Sequence, residues 1–178
     1  MKRELPTLEN MLQARFISHE FYDWLIKNGF KAAPASATHH GNFSGGLYAH
    51  SQAVTSRLLS FDSVRHEEHV WERVQSPYIV GMFHDLCKID QYQQNRVDEH
   101  NTDAWSYNEN TLLKGHGDKS VMLLSQFIML TEEEMLCIRY HMGAYETKDW
   151  DEYGRAIEKY PNVLYTHAAD MLASRLDI

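Results

Sequence analysis

The segment Pro77-Tyr78-Ile79-Val80-Gly81-Met82-Phe83-His84-Asp85-Leu86-Cys87 constrains this chain more than any other. Pro77 suits the first turn of a helix. Tyr78, Ile79, Val80, Met82, Phe83 and Leu86 then cover nearly every side of it. A helix that is apolar all round has no face to offer water, so 77–87 is expected at the centre of a helical domain. Late in that helix stand His84 and Asp85, side by side. Burying an ionised Asp costs free energy unless something compensates. A divalent metal compensates, because carboxylate and imidazole both ligate it. A helix-terminal His-Asp pair hydrogen-bonded to backbone satisfies the dipeptide equally well.

The rest of the chain supplies the bundle around this helix. It has 178 residues, 43% of them hydrophobic, which fits one domain with a real core. Nine Gly and four Pro are too few for a turn-rich β fold. Helices are predicted over 7–28, 47–61, 117–129, 131–142, 149–159 and 161–176, with a short one at 65–74. Thr131 followed by Glu134 is a capping box. Gly45-Gly46 can open a helix where backbone must approach something closely. The fold class expected is all-α, a single bundle of six or seven helices, with a small β-hairpin in the polar 88–113 stretch, one strand of it from Trp105.

The net charge of −8 argues against an extended nucleic-acid platform. A nucleotide substrate stays open, because metals and a few cations can reverse the sign inside a pocket. Two cysteines without CxxC spacing, Cys87 and Cys137, imply a reducing compartment and no disulfide framework. No stretch approaches the ~20 apolar residues of a membrane span, and Met1-Lys2-Arg3-Glu4 opens no apolar leader. A cytoplasmic location and no membrane partner are expected; an oligomer is compatible with the sequence.

Eleven histidines are many for this length, and histidine is both the commonest metal ligand and the usual neutral-pH acid or base. His50 shares a stripe with Leu47, Val54 and Leu58, so it faces the core. Asp170 shares one with Val163, His167 and Ser174, which puts a carboxylate on a face that should be buried. His116 precedes a helix and His141 lies near the end of another. Taken singly, each reads as a satisfied core or helix-terminal residue.

Taken in order, His50, His84-Asp85 and Asp170 resemble the H…HD…D signature of the HD-domain superfamily of metal-dependent phosphohydrolases. Gly45-Gly46-Leu47-Tyr48-Ala49-His50-Ser51 is similar to its "GGLxEHS" segment, with Ala49 where Glu is usual. His84-Asp85-Leu86-Cys87-Lys88 is similar to "HDxxK", and His167-Ala168-Ala169-Asp170 to the closing "HxAD". His116, in Gly-His-Gly, and His141, in Tyr-His-Met-Gly, stand where two-metal members carry further histidines. The nearest likeness is to exoribonuclease-type HD domains. Met142 replaces a second His there, and no nucleic-acid-binding barrel precedes the segment, so exonuclease activity is not expected.

The resemblance implies one metal on His50, His84, Asp85 and Asp170, and a second on His116 and His141 with Asp85 bridging. The ions would be one or two of Mn, Mg, Fe, Co or Ni. A metal-activated water would attack a small phosphate ester, a nucleotide or similar, with Asp85 and Lys88 in catalytic roles. Lys88 is also placed to bind substrate phosphate, as are His40, with its neighbour His39, and Lys119 and Arg139. Ordinary surface charge explains Lys119 and Arg139 equally well, and a solvated helix end explains Lys88. His167 is expected to orient Asp170 from one turn away. Trp105, Tyr107 and Tyr145 either stack on a base or pack. Two alternatives share the ligand set: a diiron oxygenase of HD type and a non-catalytic metal-stabilised module.

Overall fold

The computed structural model describes residues 5–39, 41–64, 71–95, 104–143 and 150–177. Eight α-helices and one two-stranded ribbon make up the regular structure of these residues, so the fold is all-α. The helices are α1 (Leu8–Gln13), α2 (His19–Lys27), α3 (Gly46–Val64), α4 (Ser76–Phe83), α5 (Gly117–Leu124), α6 (Glu132–Arg139), α7 (Trp150–Lys159) and α8 (Asn162–Leu172). A 3-10 turn (Leu86–Ile89) follows α4, and a π turn (Ala173–Asp177) extends α8. Strands β1 (Tyr92–Gln94) and β2 (Trp105–Tyr107) pair antiparallel, Tyr92 opposite Tyr107, inside the stretch where a hairpin was expected.

The apolar helix is central. All of α4 except Tyr78 is buried, and it packs on α3 and α6. Helix α8 packs on α3, α6 and α7. Phe83 meets Phe21 of α2 at 5.0 Å between ring centroids, and Phe127 stacks on Phe21 at 4.8 Å. The capping box of α6 also fastens the bundle. Glu134 is buried, accepts from Ser76 at the start of α4 at 2.7 Å and pairs with Arg73. Its neighbour Glu133 accepts from Asn162 at the start of α8 at 2.7 Å. One turn of α6 thereby sets the position of two other helices, which replaces two buried unpaired polar groups by charge-assisted hydrogen bonds.

Several boundaries differ from the sequence reading. The helix expected over 7–28 is two helices. Arg15 takes the left-handed conformation, φ 60°, and Ser18 caps α2 by accepting from the Phe21 amide at 3.1 Å. Apolar residues run on through the break, with Leu8 and Met11 buried before it and Phe21 and Leu25 after it. Helix α4 stops at Phe83, so His84 and Asp85 stand in the turn beyond it. Helix α5 stops at Leu124 and leaves Phe127 on a following turn. Of the helix expected at 65–74, residues 65–70 lie outside the described residues and 71–74 are not helical. Gly46 does open α3 at a close approach. A Cβ there would lie 2.0 Å from the Gly41 carbonyl oxygen, so only Gly fits.

Candidate metal centre

Five elements bring their polar groups to one buried point. His50 comes from the second turn of α3, and His84 and Asp85 from the turn after α4. His116 comes from the entry to α5, His141 from just past α6, and Asp170 from α8. His50, His84 and His141 are fully buried, and Asp85 and Asp170 nearly so. The approach of His116 to His141, 5.2 Å between rings, depends on Gly117. A Cβ there would sit 2.2 Å from the Arg139 carbonyl oxygen, so only Gly lets α5 start this close to the end of α6.

Asp85 is the hub. Its Oδ1 lies 2.6 Å from His116 Nε2 and 3.4 Å from His141 Nε2. Its Oδ2 lies 2.7 Å from Lys88 Nζ, 3.5 Å from His84 Nε2 and 3.6 Å from His50 Nε2. Asp170 Oδ1 lies 2.9 Å from His50 Nε2 and 3.8 Å from His84 Nε2. Among the described residues, three overlapping groups hold their ligand atoms within 4.8 Å of one another: His50–His84–Asp170, His84–Asp85–His141 and Asp85–Cys87–His116.

The donor set fits a metal. The Nδ1–H of His84 donates to the Gly81 carbonyl at 2.9 Å, and that of His141 to the Ile138 carbonyl at 2.6 Å. A carbonyl can only accept, so a ring in its neutral form turns an Nε2 lone pair toward the carboxylates and a protonated ring turns an Nε2–H there. His141 Nε2 is buried with no hydrogen-bond partner, and it faces Asp85 Oδ1 across 3.4 Å. Two lone-pair atoms aimed at each other need a cation between them or a proton on one. Buried His and Asp groups here could therefore hold a metal ion.

Cationic side chains hold both carboxylates ionised. Burial favours neutral Asp85, but Lys88, His84 and His116 outweigh it and hold the carboxyl well below the usual range. Burial likewise works against ionised Asp170, while the His50 hydrogen bond and the nearby His84 and His141 hold it low. Burial lowers Lys88, but Asp85 more than restores it, so its ammonium stays charged in the interior. Cys87, read from the sequence only as one of two scattered thiols, is pushed up to about 12 by burial and by Asp85, so its thiol stays protonated.

A cavity of about 500 Å³ opens onto Asp85, Asp170 and Lys88, with Met142, Met171 and Arg175 among its walls. His39 and His167 also line it, while His40 and Tyr145 lie outside the described residues. His167 donates from Nδ1 to the His141 carbonyl at 2.8 Å, so the backbone it braces is that of His141, where Asp170 was the expected partner. Lys119 and Arg139 are not on these walls. Lys119 is buried against Asp90, and exposed Arg139 pairs with Asp118 at 3.1 Å and Glu152 at 3.5 Å. Trp105 and Tyr107 belong to the β-ribbon, where Tyr107 packs on Tyr92 at 5.2 Å.

Sequence reasoning missed Arg175, because it followed the stripe of Asp170 and Ser174. Arg175 lies beside that stripe, four residues after Met171, and both of these line the cavity. No described helix is long and apolar enough to cross a membrane. Comparison with protein-family models, curated proteins and solved structures finds no match.

Proposed function

We propose that this chain is a metal-dependent phosphohydrolase of the HD type, acting on a nucleotide or similar small phosphate ester. The observation that carries the reading is the division of labour at Asp85. One carboxylate oxygen faces His116 and His141, the other faces His50, His84 and Lys88. That is the arrangement a bridging carboxylate needs between two cation sites. The ordered H…HD…H…H…D resemblance adds to it.

Divalent ions bound at such a site lower the pKa of water and stabilise charge developing on phosphoryl oxygens. The chain supplies the rest. His84 and His141 are held in the ligating tautomer by backbone carbonyls. Lys88 offers an ammonium at the cavity floor, where a phosphoryl oxygen can share it with Asp85. Burial keeps bulk water from competing for these groups, which strengthens each electrostatic contact. Cys87 supplies no thiolate nucleophile, because its thiol is buried and pushed up to about 12.

The test is a screen of phosphomonoesters, dinucleotides and cyclic nucleotides with Mn, Mg, Co, Ni and Fe. Phosphate or nucleotide release should depend on added metal. Asp85→Ala should lose more than ~100-fold in turnover with an unchanged helical spectrum, since even residues behind metal ligands contribute ~10–100-fold. Turnover that survives in Asp85→Ala would end the metal mechanism. Oxygen consumption by the iron-loaded protein, with no ester cleaved, would favour an oxygenase.

A further inference from the structure

The cavity beside Asp85 is a polar floor under a largely apolar wall, with one cation set apart. Its floor carries Asp85, Asp170 and Lys88, already engaged with one another and with the histidines. The thioethers of Met142 and Met171 supply apolar wall, and Met packs well against aromatic rings. Arg175 stands differently. Among the described residues exposed Arg175 makes no ion pair, and of the described arginines that make none, Arg15, Arg155 and Arg175, it is the one on this cavity's wall. It lies five residues beyond Asp170, ~7 Å along the helix by the rise per residue.

Its place is fixed by the fold. Arg57 of α3 donates through Nε and Nη2 to both oxygens of Asp177, at 2.8 and 2.5 Å, and so clamps the π turn against α3. Ala173 anchors the other end of that turn in the core. A π turn adjoining a cavity is a recurrent functional device, and this one carries Arg175, which lines the cavity with Met171 four residues before it.

We propose that Arg175 is a specificity-determining residue that binds a second anionic group of the substrate, at the end opposite the reacting phosphoryl. The inference rests on the phosphohydrolase reading and narrows it. The preferred substrate is a phosphate ester with a flat apolar body, which lies between the two methionines, and a distal carboxylate or phosphate. An unpaired guanidinium beside a cavity binds such a group bidentately, which a neutral group of the same shape cannot reproduce.

Non-hydrolysable phosphonates separate binding from turnover. The probes are 4-carbamoylbenzylphosphonate, 4-carboxybenzylphosphonate and 4-(phosphonomethyl)benzylphosphonate, titrated calorimetrically into Mn-loaded protein. Wild type should bind the carboxylate or the second phosphonate at least tenfold tighter than the carbamoyl probe, and whichever of the two gains more identifies the distal group. In Arg175→Gln that gain should fall below twofold while the carbamoyl affinity is unchanged. Arg175→Lys should keep part of it. Equal affinities for all three probes in wild type overturn the inference and leave the hydrolase reading standing. So does an equal loss for all three in Arg175→Gln. If wild type binds none of the probes, the inference falls, and the metal-dependent ester screen decides the hydrolase reading separately.

Discussion

His116 and His141 differ from the other histidines in which oxygen of Asp85 they meet. Both face Oδ1, while His50 and His84 face Oδ2. If the two oxygens serve two ions, the residues are separable. His116→Ala and His141→Ala should each lower bound metal from two to one per chain at saturating Mn, measured by elemental analysis, while His50→Ala should disturb the other ion. Wild-type protein that never exceeds one Mn per chain would instead assign both residues to substrate phosphate. His141 should be the more damaging change, because it is fully buried and its Nδ1–H donates to Ile138, whereas His116 is only partly buried. Removing His141 leaves a void and a stranded carbonyl as well as a missing ligand.

Helix pairing, more than any single side chain, sets the distance between His50 and His84. Their Nε2 atoms lie 3.2 Å apart, one from α3 and one from just past α4. The two helices cross where Gly81 meets Thr55. A Cβ on Gly81 would lie 2.6 Å from Thr55 Cα and 2.7 Å from its Oγ1. Ala is the better helix former by ~1 kcal/mol, but overpacking against backbone costs ~1–3 kcal/mol or more. Steric cost wins, because a Cα cannot rotate away. Gly81→Ala should therefore destabilise the fold, read by urea unfolding, and weaken metal binding by parting α3 from α4. A stabilised variant would contradict the close crossing.

Much of this was legible in the sequence, and what was not has physical causes. The central helix was legible because an apolar segment ringed with Tyr, Ile, Val, Met and Phe admits no solvent face. His50 and Asp170 were legible as core-facing because each falls on an apolar stripe. The break at Arg15 was not, since a left-handed residue other than Gly or Asn has no compositional mark. Nor was the wall at Arg175, because Arg175 and Met171 lie beside the stripe of Asp170 and Ser174 that the apolar pattern marks. Lys119 and Arg139 were singled out for their nearness in sequence to His116 and His141. Their acidic partners Asp90 and Asp118 are what hold them elsewhere.

At the scale of the whole molecule, several acids titrate lower when folded than when unfolded. Asp85 and Asp170 are held low by their partners. Glu9 of α1 is lowered to about 2, mainly by its hydrogen bond with Lys31. A group with a depressed folded pKa contributes stability that is complete above its unfolded value, ~4 for these acids, and is lost as pH falls through the folded one. The melting temperature should therefore be level above about pH 5 and fall steadily toward pH 2. Glu9→Gln should flatten part of that fall, a modest part, because Glu9 is half exposed and screened by solvent. Parallel wild-type and Glu9→Gln curves would remove Glu9 from the account.

The separation of the cluster along the chain has a consequence in time. Asp170 follows His50 by 120 residues, and the Arg57–Asp177 clamp spans the same interval. A ribosome adding ~5–20 residues per second needs roughly 6–24 s to cover it. For those seconds a growing chain carries His50, and soon His84-Asp85, without the carboxylate that completes their group. The polar centre of this bundle is thus completed only when α8 is made. A chain arrested before α8 has the apolar helix at its heart and a single carboxylate, Asp85, among the histidines gathered around it.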